Sequence, residues 1–158
     1  MLVPDGFIMQ FAKAVLILCL IALCYASYSN SNDSSQLDSW VEFCPKSQLC
    51  FQRPTSLTPI DVLALDSIAG QLEQENITLT YDLGRYSSKF NDLTQATSEA
   101  VIIDGHDGKL LIQDKKMALT IPTVSGEIGF SMLIEFKNTV QLEQGLRILK
   151  SVKFNLPH

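Results

Sequence analysis

Between residues 77 and 83 the chain reads Ile, Thr, Leu, Thr, Tyr, Asp, Leu, and from 128 to 136 the apolar side chains Ile128, Phe130, Met132, Ile134 and Phe136 occupy every second position. Alternation with period two places one set of side chains on one face of an extended chain, so each segment is expected to be a strand with one buried face. Shorter segments with the same bias are Gln48 to Arg53, Ile68 to Glu73, Glu99 to Ile103, Lys109 to Gln113 and Met117 to Ile121. Gln74-Glu75-Asn76 and Asp104-Gly-His-Asp-Gly108 separate successive members and favour tight turns, which makes two hairpins. Thr55 to Asp66, with two prolines and Leu57, Ile60, Val62, Leu63 and Leu65, reads as a turn leading into a strand or a short helix. Gly84 to Ser98 is polar and aperiodic, and is expected to be a loop.

The period changes near the end of the chain. Leu142, Leu146 and Leu149 recur at helical spacing, Ile148 and Val152 widen the stripe, and Asn138 with Gln141 has the spacing of a capping box. The expected class is therefore α+β, an antiparallel sheet of five to six strands with a C-terminal helix packed on one face. Val152 to Phe154 would supply a last contact with the sheet.

Residues 1–26 point to a compartment. Lys13 precedes the apolar run Ala14 to Cys24, and Tyr25-Ala26-Ser27 follows it. That is the layout of an export signal cut after Ala26, and the run is short for a membrane span, which needs about 20 apolar residues. Retention as an N-terminal anchor is the other reading, and would be the chain's one connection to a membrane. Residues 27–39 read as a polar linker and 40–158 as a single domain. Cys19 and Cys24 would leave with the signal, whereas Cys44 and Cys50 form a close pair, expected in an exported chain to be a disulfide rather than half of a metal site. The formal charge is -5, and losing Asp5 with Lys13 leaves it unchanged. An acidic surface disfavours nucleic acid, whose binding is dominated by phosphate neutralisation.

Pro54, then Asp66-Ser67-x-x-Gly70, Tyr81-Asp82-x-Gly84-x-Tyr86-Ser87, and the run Ile148 to Phe154 together resemble a pattern in small exported bacterial proteins of unassigned function, with a plan similar to PsbP-like α+β domains. The resemblance spans about Phe51 to Phe154 and implies a fold but no catalytic residues. In physical terms Gly70 and Gly84 mark positive φ or close approach, and Asp82 could accept hydrogen bonds from the turn amides after it.

Catalytic chemistry has little to stand on. The histidines are His106, read as a solvated turn residue, and His158, and no Gly-x-Ser-x-Gly elbow supplies a nucleophile. Asp104 and Asp107 lack the remaining ligands of a calcium loop. No phosphate loop or zinc set is present, so neither metal nor cofactor is expected. Asn76-Ile-Thr78 matches a glycosylation sequon, relevant only in a eukaryotic host. The expected role is a non-enzymatic domain of the periplasm or cell envelope that binds an envelope or secreted protein, as an immunity or inhibitor protein does. Arg85, Tyr86, Lys89 and Phe90 are the expected contact residues, because aromatic and arginine side chains on loops are enriched in binding hot spots. A carrier holding an apolar ligand between helix and sheet, and a weak carboxylate-dependent hydrolase, are the alternatives.

Overall fold

The computed structural model describes residues 39–64, 66–138 and 141–156. The expected signal segment, the expected linker up to Asp38, Leu65 and His158 lie outside the described residues.

The periodic segments form the strands expected of them. β1 is Trp40–Lys46, β2 Leu49–Pro54, β3 Thr58–Ile60, β4 Ile68–Gln74, β5 Ile77–Gly84, β6 Thr97–Ile103, β7 His106–Gln113, β8 Lys116–Ser125, β9 Ile128–Phe136 and β10 Lys153–Phe154, with one helix, α1, at Leu142–Lys150. β3 to β9 make a seven-stranded antiparallel sheet in the order β3-β4-β5-β9-β8-β7-β6. Its inner face carries Leu79, Tyr81 and Leu83 from β5, Phe130, Met132 and Ile134 from β9, and Met117, Leu119 and Ile121 from β8, all buried. β1, β2 and β10 form a second, three-stranded antiparallel sheet. Leu49 and Phe51 of β2 and Phe154 of β10 join the same hydrophobic core. Aromatic rings stitch the layers together: Phe51 meets Tyr81 edge-on at 5.5 Å between centroids, and Phe154 meets Phe130 at 5.2 Å.

The expected α+β class is overturned. Strands hold 58% of the described residues against 8% in helix, and two sheets replace one sheet covered by a helix. The layer over the core is mostly the small sheet, whose members β1 and β10 are too short or too irregular to show a period. α1 is nine residues long and adds the buried Ile148 and Leu149 to the core. Its expected cap is also corrected. Asn138 gives its side-chain amide to Asn76 Oδ1 at 2.8 Å, and the position before the helix is taken by Gln141 without a side-chain cap. Ser151 closes the other end, its hydroxyl donating to the Ile148 carbonyl and accepting from the Gln52 amide.

The Asp104 turn is tighter than expected. Asp104 and Gly105, both at positive φ, form the whole connection between Ile103 and His106, as a type I′ hairpin requires. His106 is thereby the first residue of β7 and half-buried, its ring edge-on to Phe154 at 5.4 Å, rather than a solvated turn residue.

Cys44 and Cys50 are joined. The bridge spans the β1–β2 hairpin, whose register is irregular between Phe43 and Lys46. Closing so short a loop stabilises by about 2 kcal/mol in the chain-entropy model. Cys44→Ala/Cys50→Ala is expected to lower the unfolding free energy by about that amount in urea titrations, with β1 amides losing the most hydrogen-exchange protection.

Near the top of β5 and β9 two glycines face each other, Gly84 and Gly129. A Cβ on Gly129 would lie 2.9 Å from the Pro122 carbonyl oxygen and 3.0 Å from that of Ile121, beside the break in the β8–β9 register. Those are backbone atoms and cannot rotate away. Gly129→Ala is expected to destabilise by about 1–3 kcal/mol, measured by urea unfolding.

Candidate functional site

The sheet order separates β5 from β6 by three strands, so the segment 85–96 must cross the sheet to connect them. It passes over the outer face, opposite the core. The Ser88 amide donates to Ser131 Oγ on β9 at 3.1 Å, and the Gln95 amide donates to Gln113 Oε1 on β7 at 3.1 Å. Ser131 is buried although it lies on that polar face. The expected loop is thus real, and it is fastened to the sheet at both ends.

Two depressions border the start of this crossing segment, and another lies against β4. A cleft of about 630 Å³ is lined by Asp66, Ser67, Ile68, Arg85, Tyr86 and Ile128, among others. A second hollow of about 450 Å³ lies between the 59–64 segment and β4, with Tyr81 at its wall. The third, about 210 Å³, is lined by Thr80, Tyr81, Asp82, Tyr86, Ser88, Phe90 and Ser131. None of the three is lined by α1, so they do not form the helix-to-sheet pocket that a carrier was expected to use.

The expected contact residues fall into two groups. Arg85 and Tyr86 stand on the surface, Tyr86 with 81% of its area exposed. Arg85 Nε lies 3.2 Å from Glu127 Oε2, an ion pair between two well-exposed side chains. Tyr86 lines both the large cleft and the small cavity. Lys89 is exposed, whereas Phe90 is half-buried, lines the small cavity and has φ 49°, its amide bonded to Ser88 Oγ at 3.1 Å.

Asp82 is placed differently from its expected role. It lies opposite Ser131 in the β5–β9 register, and no hydrogen bond or ion pair reaches its carboxylate among the described residues. Its Oδ1 is shielded from solvent. The reason is geometric: the chain continues as strand through Gly84 and offers Asp82 no turn amides. Asp66 and Asp82 line separate depressions. Sequence reasoning passed over Thr80, Ser88 and Ser131. The one signal for them was polarity on the outer face, since Ser131 interrupts the otherwise apolar run around Phe130 and Met132.

The motif glycines do what close approach requires. Gly70 pairs with Tyr81, and a Cβ there would overlap the Tyr81 hydroxyl oxygen at 2.2 Å, so the ring lies across the glycine. Phe43 and Phe51 flank that ring edge-on. No protein-family model matches the chain, and no curated protein matches it in sequence.

Burial pushes the Tyr81 phenol above its ordinary value of 10.0. The unfolded chain therefore ionises first, and the stability this residue contributes is lost as pH rises from about 10 towards the folded-state value. The urea midpoint is expected to fall in that alkaline range, and to fall less steeply in Tyr81→Phe.

Proposed function

We propose that this is an exported, non-enzymatic domain that binds another protein of the envelope or secreted fraction through the surface around Tyr86. The observation that carries the reading is Tyr86 itself, a large aromatic side chain 81% exposed at the junction of two depressions. Its segment is fastened to the sheet through Ser131 and Gln113. An aromatic group presented on an ordered loop loses little conformational entropy on binding, which is the property of a hot spot. Arg85 beside it adds a planar cation whose present partner, Glu127, is exposed and readily exchanged. The Cys44–Cys50 disulfide supports passage through an oxidising compartment. An immunity or inhibitor role suits a small acidic domain of this kind, since a rigid surface with a central aromatic anchor is what a stoichiometric inhibitor needs.

Affinity capture from envelope and secreted extracts, with the disulfide formed, tests the reading. One protein recovered in stoichiometric amount is expected, with Tyr86→Ala weakening the complex about thirtyfold, or about 2 kcal/mol, in a binding titration. Recovery of nothing above a denatured-bait control, or a partner indifferent to Tyr86→Ala, would sink it.

A further inference from the structure

The cavity of about 210 Å³ between the crossing segment and the sheet holds a combination that protein–protein contact at Tyr86 does not need. Its walls carry one carboxylate, Asp82, three hydroxyl side chains, Thr80, Ser88 and Ser131, and the rings of Tyr86 and Phe90. The hydroxyls are partly committed, since Ser131 accepts from the Ser88 amide and Ser88 accepts from the Phe90 amide. The carboxylate is uncommitted. No described residue donates to it, and the ion pairs among the described residues join Arg85 to Glu127 and Lys116 to Glu135.

Asp82 is half-buried and one of its carboxylate oxygens, Oδ1, is withdrawn from water without a donor, a cost that a cation or donor beside the carboxylate offsets. The walls select the kind of cation. A hard metal ion such as calcium takes six to eight oxygen ligands and usually more than one carboxylate, and Asp82 is the sole acidic residue here. An alkylammonium group needs one carboxylate and a few hydroxyl acceptors for its three N–H donors, and its carbon chain is accommodated by apolar ring faces. The volume suits it, being about seven times the share of one water in the liquid.

We infer that the Asp82 cavity is a binding site for a primary alkylammonium group, the ammonium meeting Asp82 and the hydroxyls of Thr80 and Ser131 while its carbon chain lies between Tyr86 and Phe90. The group belongs either to a lysine side chain of a protein or to a free amine. The site does not depend on the partner proposed above, because an amine titration needs no protein partner and a failed capture experiment would leave it standing.

The test is a nitrogen-15 NMR titration of the full chain, disulfide intact and held in neutral detergent, with n-butylammonium chloride and with N-acetyl-lysine methylamide. Saturable shifts are expected at the amides of Thr80, Asp82, Ser88 and Ser131. Saturation by the blocked lysine assigns the ammonium to a protein side chain, and saturation by butylammonium alone assigns it to a free amine. Asp82→Asn preserves shape and is expected to weaken binding at least tenfold, and Tyr86→Leu about threefold. Uncharged n-pentanol, of similar length, tests the need for charge on the unaltered protein and should leave those amides unmoved. Absence of saturable shifts with both amines, equal binding by Asp82→Asn, or equal shifts with n-pentanol would overturn the proposal.

Discussion

The pairing of β5 with β9 is the constraint on which the remaining architecture depends. Eight consecutive registered pairs, from Ile77 with Phe136 to Gly84 with Gly129, join two runs of hairpins that are otherwise separate, β3-β4-β5 and β9-β8-β7-β6. The order of the second run is reversed, so the chain leaving β5 must travel to the far edge before it can begin β6. A connection of that reach over a sheet needs polar anchors on a face that would otherwise be solvated. Ser131 and Gln113 supply them. The same register puts Asp82 opposite Ser131, beneath the start of the crossing. Cavity, anchored aromatic and unpartnered carboxylate all follow from one long-range pairing.

This origin explains how much could be read in advance. β4, β5, β7, β8 and β9 were legible because each carries its period locally, and Ile128–Phe136 matches the expected bounds at both ends. What joins β5 to β9 is not local, since either could have paired with other strands of similar pattern. The second sheet was illegible for a related reason. Its central strand β2 was expected, but β10 has two residues and β1 is broken by its irregular register, so neither neighbour of β2 offers enough positions to show alternation. The helix had the opposite fault. Leu142, Leu146 and Leu149 announced it clearly, and a clear local period was given more weight in the architecture than nine residues can bear.

The candidate site divides along the same line. Arg85 and Tyr86 could be selected by residue type on an aperiodic segment, and both are exposed. Phe90 was chosen by the same criterion, yet its positive φ and the Ser88 hydrogen bond turn it toward the sheet. Backbone conformation decided its placement, and residue type does not encode that for a phenylalanine, which seldom adopts φ above zero. Of the two roles expected for the motif glycines, positive φ and close approach, close approach is the one they have, whereas the turn chemistry expected of Asp82 is not found. Gly70 admits the Tyr81 ring, and Gly84 faces Gly129 where Ser67, Ser87 and the β8 irregularity converge.

Asp82 carries the tension between stability and use. The positions around it are settled: Tyr81 before it and Leu83 after it are buried in the core, and Ser131 across from it is engaged by the crossing segment. At position 82 itself a threonine would suit the strand at least as well, as Thr78 and Thr80 do on the same face. An aspartate there disfavours the strand, and one of its oxygens, Oδ1, is shielded from solvent without gaining a donor. Local inconsistency of this kind, inside an otherwise consistent sheet, is where a fold gives up stability for a function. The rings of Tyr86 and Phe90 and the hydroxyl side chains that line the cavity with Asp82 are what the proposed cation would need in addition to the charge. The physical logic of the sheet therefore accounts for Tyr81, Leu83 and Ser131 around Asp82, and the carboxylate is the one position of this group that the sheet itself does not require.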